Sequence, residues 1–245
     1  MTTPSESELN HLGQPVGLPV PNWKPSQPPT REPLNGRYCR VERLSVEKHA
    51  EALFEANALD REGRMWTYLS YGPFQTLDAY REWAEKFARS EDPLFYAIVD
   101  RDTSKAVGVA SYLRIDVQNG VIEVGHLAFS PLLQRTRAAT EAMYLMMKHA
   151  FDSGYRRYEW KCNSLNAPSR AAATRLGFCY EGLFRQAVLW RGRNRDTTWF
   201  SILDRDWPRL QPAFEQWLHP DNFDAEGRQR VRLSDLTAPI VEQCG

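Results

Sequence analysis

The chain has 245 residues, 42% of them hydrophobic and 25% charged, and its 31 basic residues are balanced by 31 acidic ones. That size suits one well-filled domain with extensions, and a formal net charge of zero gives no global pull toward nucleic acid or an anionic membrane. No apolar run approaches the roughly 18 residues that a bilayer span needs, the polar start lacks a secretory pattern, and four cysteines (Cys39, Cys162, Cys179, Cys244) without C-x-x-C spacing point to reduced thiols in a cytoplasmic protein, not to a zinc site or a disulfide framework.

Residues 1–35 read as a proline-rich arm, with Leu18, Val20 and Trp23 as anchors for docking on the body. A first strand is expected over 37–44, then a helix capped by Ser45 and running to Asn57 with Val46, Ala50, Leu53 and Phe54 on one face. The aromatic segment Trp66 to Phe74 holds no clean period and reads as loop with some helical turn. Thr76 caps a second helix to Arg89, whose Leu77, Tyr80, Ala84 and Phe87 form a core stripe. Strands follow over 94–99 and 106–115, and Gln118-Asn119-Gly120 is a tight-turn signal leading into Val121–Phe129. Ser130-Pro131 ends that strand, because proline has no N–H for a ladder. A helix with Ala138, Ala142, Met143 and Met146 at helical spacing comes next, and Gly154 stops it. A strand over 155–162, a helix opened by Asn166 and closed by Gly177, and strands over 181–190 and 197–203 complete the body, with Arg191 to Asp196 as a charged turn. Beyond Pro208 the chain reads as a C-terminal extension, 209–245, with a short amphipathic helix carrying Leu210, Phe214, Trp217 and Leu218 and then a polar tail. The order is mixed α/β (α+β), with hairpins flanking one crossover.

The stretch VIEVGHLAFSPLLQRTRAATE, 121–141, resembles the central motif of the GNAT N-acetyltransferases, in particular their RimJ/RimL-like branch. Ala139-Thr140-Glu141-Ala142 matches the family's helix start. Asn166-Ala167-Pro168-Ser169, Arg175-Leu176-Gly177-Phe178 with Glu181-Gly182, and Arg193-Asn194-Arg195-Asp196-Thr197 match the same branch, so the resemblance covers about residues 36–208. It implies the GNAT fold, a mostly antiparallel twisted sheet with helices on both faces. It also implies acetyl-CoA as co-substrate without a metal, a primary amine as acceptor (a protein N-terminus or a small molecule), and direct attack in a ternary complex. Homodimerisation stays open, and a non-catalytic CoA-binding or regulatory domain is the alternative.

For cofactor binding, a loop entering a helix N-terminus offers unpaired N–H groups and a positive dipole end, which suit a phosphate. Here that loop is Gln134, Arg135, Thr136, Arg137, Ala138 and Ala139, with arginines where most members have two glycines; at negative φ these would admit a close phosphate and add charge. By resemblance the main chain of Leu127, Ala128 and Phe129 meets the thioester and pantetheine, and Asn166 contacts the pantetheine arm. Glu123, an acid inside an apolar strand, is one candidate base, since burial raises a carboxyl toward neutrality. His126 and a water relay are the others, and a period of two sets Glu123 and His126 on opposite faces. The tyrosine many members use as acid is replaced by Ala173, leaving Ser169, which equally suits a capping role. Arg185, Arg191, Arg193 and Arg195 form a local basic patch, yet the zero net charge argues against nucleic acid as partner. Asp196 is expected to hold the last hairpin.

Overall fold

The computed structural model describes residues 7–242, so Cys244 and the outermost residues of both termini lie outside the described residues. Two short strands, β1 (Ser7–Leu9) and β2 (Pro15–Gly17), pair as an exposed hairpin. The arm then straps itself to the body through main-chain and indole groups. The Trp23 Nε1–H donates to the Gln118 carbonyl at 2.9 Å, and the Ser26 and Gln27 N–H groups donate to the Val117 and Ser153 carbonyls at 2.9 and 2.8 Å. Its end, β3 (Leu34–Asn35), joins the main sheet as an edge strand.

That sheet holds eight strands in the order β3, β4 (Cys39–Arg43), β5 (Leu94–Asp100), β6 (Ala106–Asp116), β7 (Val121–Phe129), β8 (Arg157–Asn163), β10 (Arg193–Leu203) and β9 (Cys179–Trp190). All neighbours are antiparallel except β7 and β8, which are parallel because α3 (Arg137–Asp152) crosses over between them. Helices α1 (Val46–Asn57) and α2 (Leu77–Ala88) start where capping predicts: Ser45 Oγ accepts the Lys48 N–H and Thr76 Oγ1 the Ala79 N–H. They cover one face, burying Leu53, Tyr80, Trp83 and Ala84 against Phe95 and Val99. On the other face α3, α4 (Ala167–Arg175), α5 (Trp207–Leu218) and α6 (Leu233–Val241) bury Met143, Met147, Phe178, Phe214 and Leu233 against Tyr96, Ile98, Ile122 and Val124.

Three expectations need correction. The charged turn contracts to Arg191-Gly192, because Asp196 Oδ1 accepts the Gln186 N–H (2.7 Å) and the Asn194 Nδ2–H (2.8 Å), and the ladder absorbs Arg193 to Asp196 through bulges. The polar tail contains α6, whose Leu233, Thr237 and Ile240 are buried at helical spacing; Pro239 within it obscured the pattern. Cys39 and Cys162 are free and buried, but Cys179 is disulfide-bonded, since sequence spacing does not report which sulfurs meet in space. Among the described residues no helix is long and apolar enough to cross a membrane.

One buried acid ties the layers together. Glu141 of α3, 5% exposed, accepts the N–H groups of Arg37 (2.7 Å), Tyr38 (2.6 Å) and Cys39 (2.8 Å) at the entry to β4. Gly36 precedes that cradle, and a Cβ there would run into the Glu141 carboxylate. A carboxylate taking three backbone donors replaces its lost hydration.

Candidate active site

The seam between β7 and β8 opens partway along. Their pairing runs from Val121↔Arg157 to Val124↔Trp160 and stops, although β7 continues to Phe129 and β8 to Asn163. From Gly125 onward one edge of β7 is therefore free of a strand partner, while its other edge stays paired to β6. Leu127, Ala128 and Phe129, the residues expected to meet pantetheine, lie on this open stretch.

A bulge marks the opening. The β6–β7 register runs Ser111↔Gly125 and then Val109↔Ala128, and His126 takes a left-handed φ of 52°. Such a conformation costs a non-glycine residue about 1–2 kcal/mol and breaks the alternation of side chains. Ile122 and Val124 point into the core under α3, whereas the His126 ring lies among Tyr71 (5.7 Å between centroids), Phe95 (5.0 Å) and Phe87 (6.4 Å) on the opposite face. Strict alternation predicts that Glu123 and His126 are separated by the sheet; the bulge instead sets both on the wall of one cavity.

That cavity, about 610 Å³, lies between the open seam, the aromatic segment and the last hairpin. Arg191 ties the hairpin across it, donating to the Leu69 carbonyl at 3.2 Å, and the Tyr68 hydroxyl donates to the Leu165 carbonyl at 3.0 Å. Its charged wall residues are Arg114, Glu123, Lys161 and Arg195. Glu123, 3% exposed, meets the Arg114 guanidinium at 2.6 Å and the Lys161 ammonium at 2.8 Å, both through Oε2. Burial pushes its carboxyl up from the ordinary value, and Lys161 and Arg114 pull it back. Lys161 also meets Glu159 (2.7 Å) and lies 3.7 Å from the centre of the Trp199 ring. Burial, and secondarily the Arg114 charge, holds the His126 imidazole down at about 4, so it is neutral near pH 7.

Asn166 caps α4, its Oδ1 accepting the Ser169 N–H at 3.2 Å, and both residues line the cavity. The Ser169 hydroxyl accepts the Trp160 Nε1–H at 3.0 Å. A hydroxyl whose oxygen accepts from an indole still has its own proton to donate.

At the far end of β7 the chain turns tightly. The Ser130 carbonyl accepts the Leu133 and Gln134 N–H groups, and the Gln134 Nε2–H returns to the Phe129 carbonyl at 2.7 Å. Arg135 has φ 62°, so it occupies the left-handed conformation that glycine takes without strain, not the negative φ that a close phosphate approach through an arginine presumes. Thr136 caps α3 by accepting the Ala139 N–H at 3.1 Å; the neighbouring first-turn N–H groups of Arg137 and Ala138 have no intrahelical acceptor. The Arg137 guanidinium lies 4.1 Å from the Phe223 ring centre and 5.5 Å from that of Tyr38, spanning to the C-terminal segment.

Arg114, Trp160, Lys161 and Trp199 did not stand out in the sequence. A signal existed for Lys161: Tyr158, Trp160 and Cys162 are buried core positions of β8, which places Glu159 and Lys161 as charges on the other face of an interior strand. Nothing local marks Arg114, which reaches Glu123 only through the β6–β7 register.

Comparison with known proteins fits this geometry. A family model described as an acetyltransferase (GNAT) domain matches residues 41–179. A solved GCN5-related N-acetyltransferase from Brucella melitensis is 44% identical, with 89% of this chain and all of that chain covered and a TM-score of 0.87. A probable acetyltransferase of the GNAT family from Chromobacterium violaceum is 39% identical over 80% of this chain and 98% of that one, with a TM-score of 0.74. An uncharacterized N-acetyltransferase, p20, from Bacillus licheniformis is 30% identical over 117 residues, 46% of this chain; the match spans 63% of that relative's length.

Proposed function

Since the chain belongs to the GNAT acetyltransferase family, we propose that it is an N-acetyltransferase moving the acetyl group of acetyl-CoA to a primary amine by direct attack, as the RimJ/RimL-like resemblance implies. The observation that carries this reading is the β7–β8 seam that opens after Val124 onto a cavity holding both a buried carboxylate and a free hydroxyl proton. Pantetheine would enter the open seam, pairing with main-chain groups of Leu127 to Phe129 and with the Asn166 amide. The pyrophosphate would meet the N-terminus of α3 and the loop from Gln134 to Ala139. Arg135 takes a left-handed conformation that glycine adopts without strain, which favours a working loop over a domain that has lost its ligand.

In the reaction the amine nitrogen attacks the thioester carbonyl, a C–N bond forms and the C–S bond breaks. Glu123 takes the amine proton, directly or through a water. Ser169 gives its proton to the leaving thiolate and is reprotonated through water by the proton that Glu123 has taken, so the amine's proton ends on the CoA thiol. His126, neutral and packed among aromatics, is the second candidate base. Main-chain N–H groups of the bulged strand polarise the carbonyl.

Calorimetric titration with acetyl-CoA, with desulfo-CoA and ATP as controls, followed by amine-dependent release of the CoA thiol, tests this. Both CoA compounds should bind and ATP should not; binding without turnover on any amine would leave a CoA-binding module, and no CoA binding would discard the reading.

A further inference from the structure

Arg195 touches no carboxylate, and Glu123 acts on it only as a charge at a distance. Among the described residues its guanidinium forms no ion pair or hydrogen bond; its Nε is buried without an acceptor, and its Cζ lies 5.5 Å from the centre of the Trp190 ring. Two residues along the same face of β10, Thr197 Oγ1 is also buried without a partner. Both line the cavity. Arg195 is half-buried, and a guanidinium partly withdrawn from water without an anion in contact is costly, so such a group is informative.

The charge count of the wall points the same way. Arg114 and Lys161 meet Glu123 and, through Lys161, Glu159, so with Arg195 three cations face two carboxylates. Cofactor phosphates do not balance this excess, because the N-terminus of α3 lies past the far end of β7, beyond Phe129. A polyamine would add cations to a wall already positive.

We propose that Arg195, with Thr197, binds an anionic oxygen group on the acceptor, so that the acceptor is a small amine bearing a carboxylate or a like anion. This rests on the acetyltransferase reading and narrows its acceptor. The anion fixes the acceptor in the hairpin wall, leaving its amine to approach Glu123, which lines the same cavity.

The test compares free amino acids and aminoalkyl phosphonates with the corresponding amino-acid amides and plain amines, following thiol release at saturating acetyl-CoA. The amides also mimic protein N-termini. The expected result is a preference for the anionic acceptors of at least about tenfold in kcat/KM, as a charge-assisted hydrogen bond of 1.5–3 kcal/mol gives. Arg195→Gln should collapse that ratio to about one, mainly by raising KM for the anionic acceptor, and Arg195→Lys should restore part of it. Preference for amides or polyamines, turnover on neither set, or a loss in Arg195→Gln that is equal for charged and neutral acceptors would overturn the proposal. Acetyl-CoA titration on the same samples separates the two failures: absence of cofactor binding sinks the acetyltransferase reading, and cofactor binding with the wrong acceptor preference sinks this one alone.

Discussion

Glu123 and Glu141 are both buried glutamates of the central motif, yet their surroundings give them different work. Glu141 is surrounded by neutral donors: three main-chain N–H groups take both of its oxygens, and nothing about it opens to the cavity. Glu123 is held by two cations, Arg114 and Lys161, on the wall of a 610 Å³ cavity. A carboxylate fastened by main-chain donors away from any cavity is structural, whereas one raised by burial on a cavity wall is available for proton transfer. Burial alone does not distinguish the two cases; the identity and number of partners does.

The sharpest way to break that contrast is Glu123→Gln. It should lower kcat by roughly 10²–10⁴-fold, the usual share of a general base, while acetyl-CoA affinity by calorimetry stays close to wild type and the unfolding midpoint drops, because buried Lys161 loses one of its two carboxylates. A comparable loss of cofactor affinity would show that Glu123 fastens the site as Glu141 fastens the fold. The counterpart is Glu141→Ala, which removes the acceptor of one buried N–H donor, Cys39, and two partly buried ones, Arg37 and Tyr38. At about 1–3 kcal/mol for a buried unsatisfied donor, urea unfolding should report at least about 1 kcal/mol lost, with kcat per folded molecule unchanged.

Ser169→Ala should have a smaller effect, on the order of tenfold in kcat near pH 7, shrinking as pH rises past the ordinary thiol range, where the leaving thiolate no longer needs a proton. Residual activity that fails to recover at high pH would leave Ser169 as a helix cap only. His126 supplies a pH test of stability. Its imidazole is held at about 4 against an ordinary 6.5, so between those values the unfolded chain binds the proton and the folded one does not. Stability should fall as pH drops from about 6.5 to about 4, and His126→Gln should flatten that part of the curve in urea titrations. Burial of Glu123 acts with the opposite sign. The smallest effect belongs to Arg135→Gly. Relief of the left-handed strain and the greater freedom of unfolded glycine each amount to about 1 kcal/mol and nearly cancel, while acetyl-CoA affinity should weaken only a few-fold if the exposed side chain reaches a phosphate.

Much of this fold was legible because its signals are local. Ser45, Thr76 and Asn166 cap the helices they were expected to cap, Gln118-Asn119-Gly120 turns the chain into β7, and Gly154 and Gly177 stop helices at φ 87° and 88°. A cap or a turn depends on groups a few residues apart, which the sequence contains. The motif from Val121 to Glu141 likewise marked the centre of the sheet and Glu123 as an acid in an apolar strand. Tertiary structure alone decided the rest. Alternation separated Glu123 from His126, and a single bulge reunited them. Arg114 and Lys161 come to Glu123 from the two strands on either side of β7, and Arg195 comes from another strand still, 72 positions along the chain by its numbering. The seam between β7 and β8 opens where two strands, each regular by its own sequence, diverge. Pairing, register and the partners of a buried charge belong to residues distant in sequence, so one strand read alone carries the acid but not the reason it is free to act.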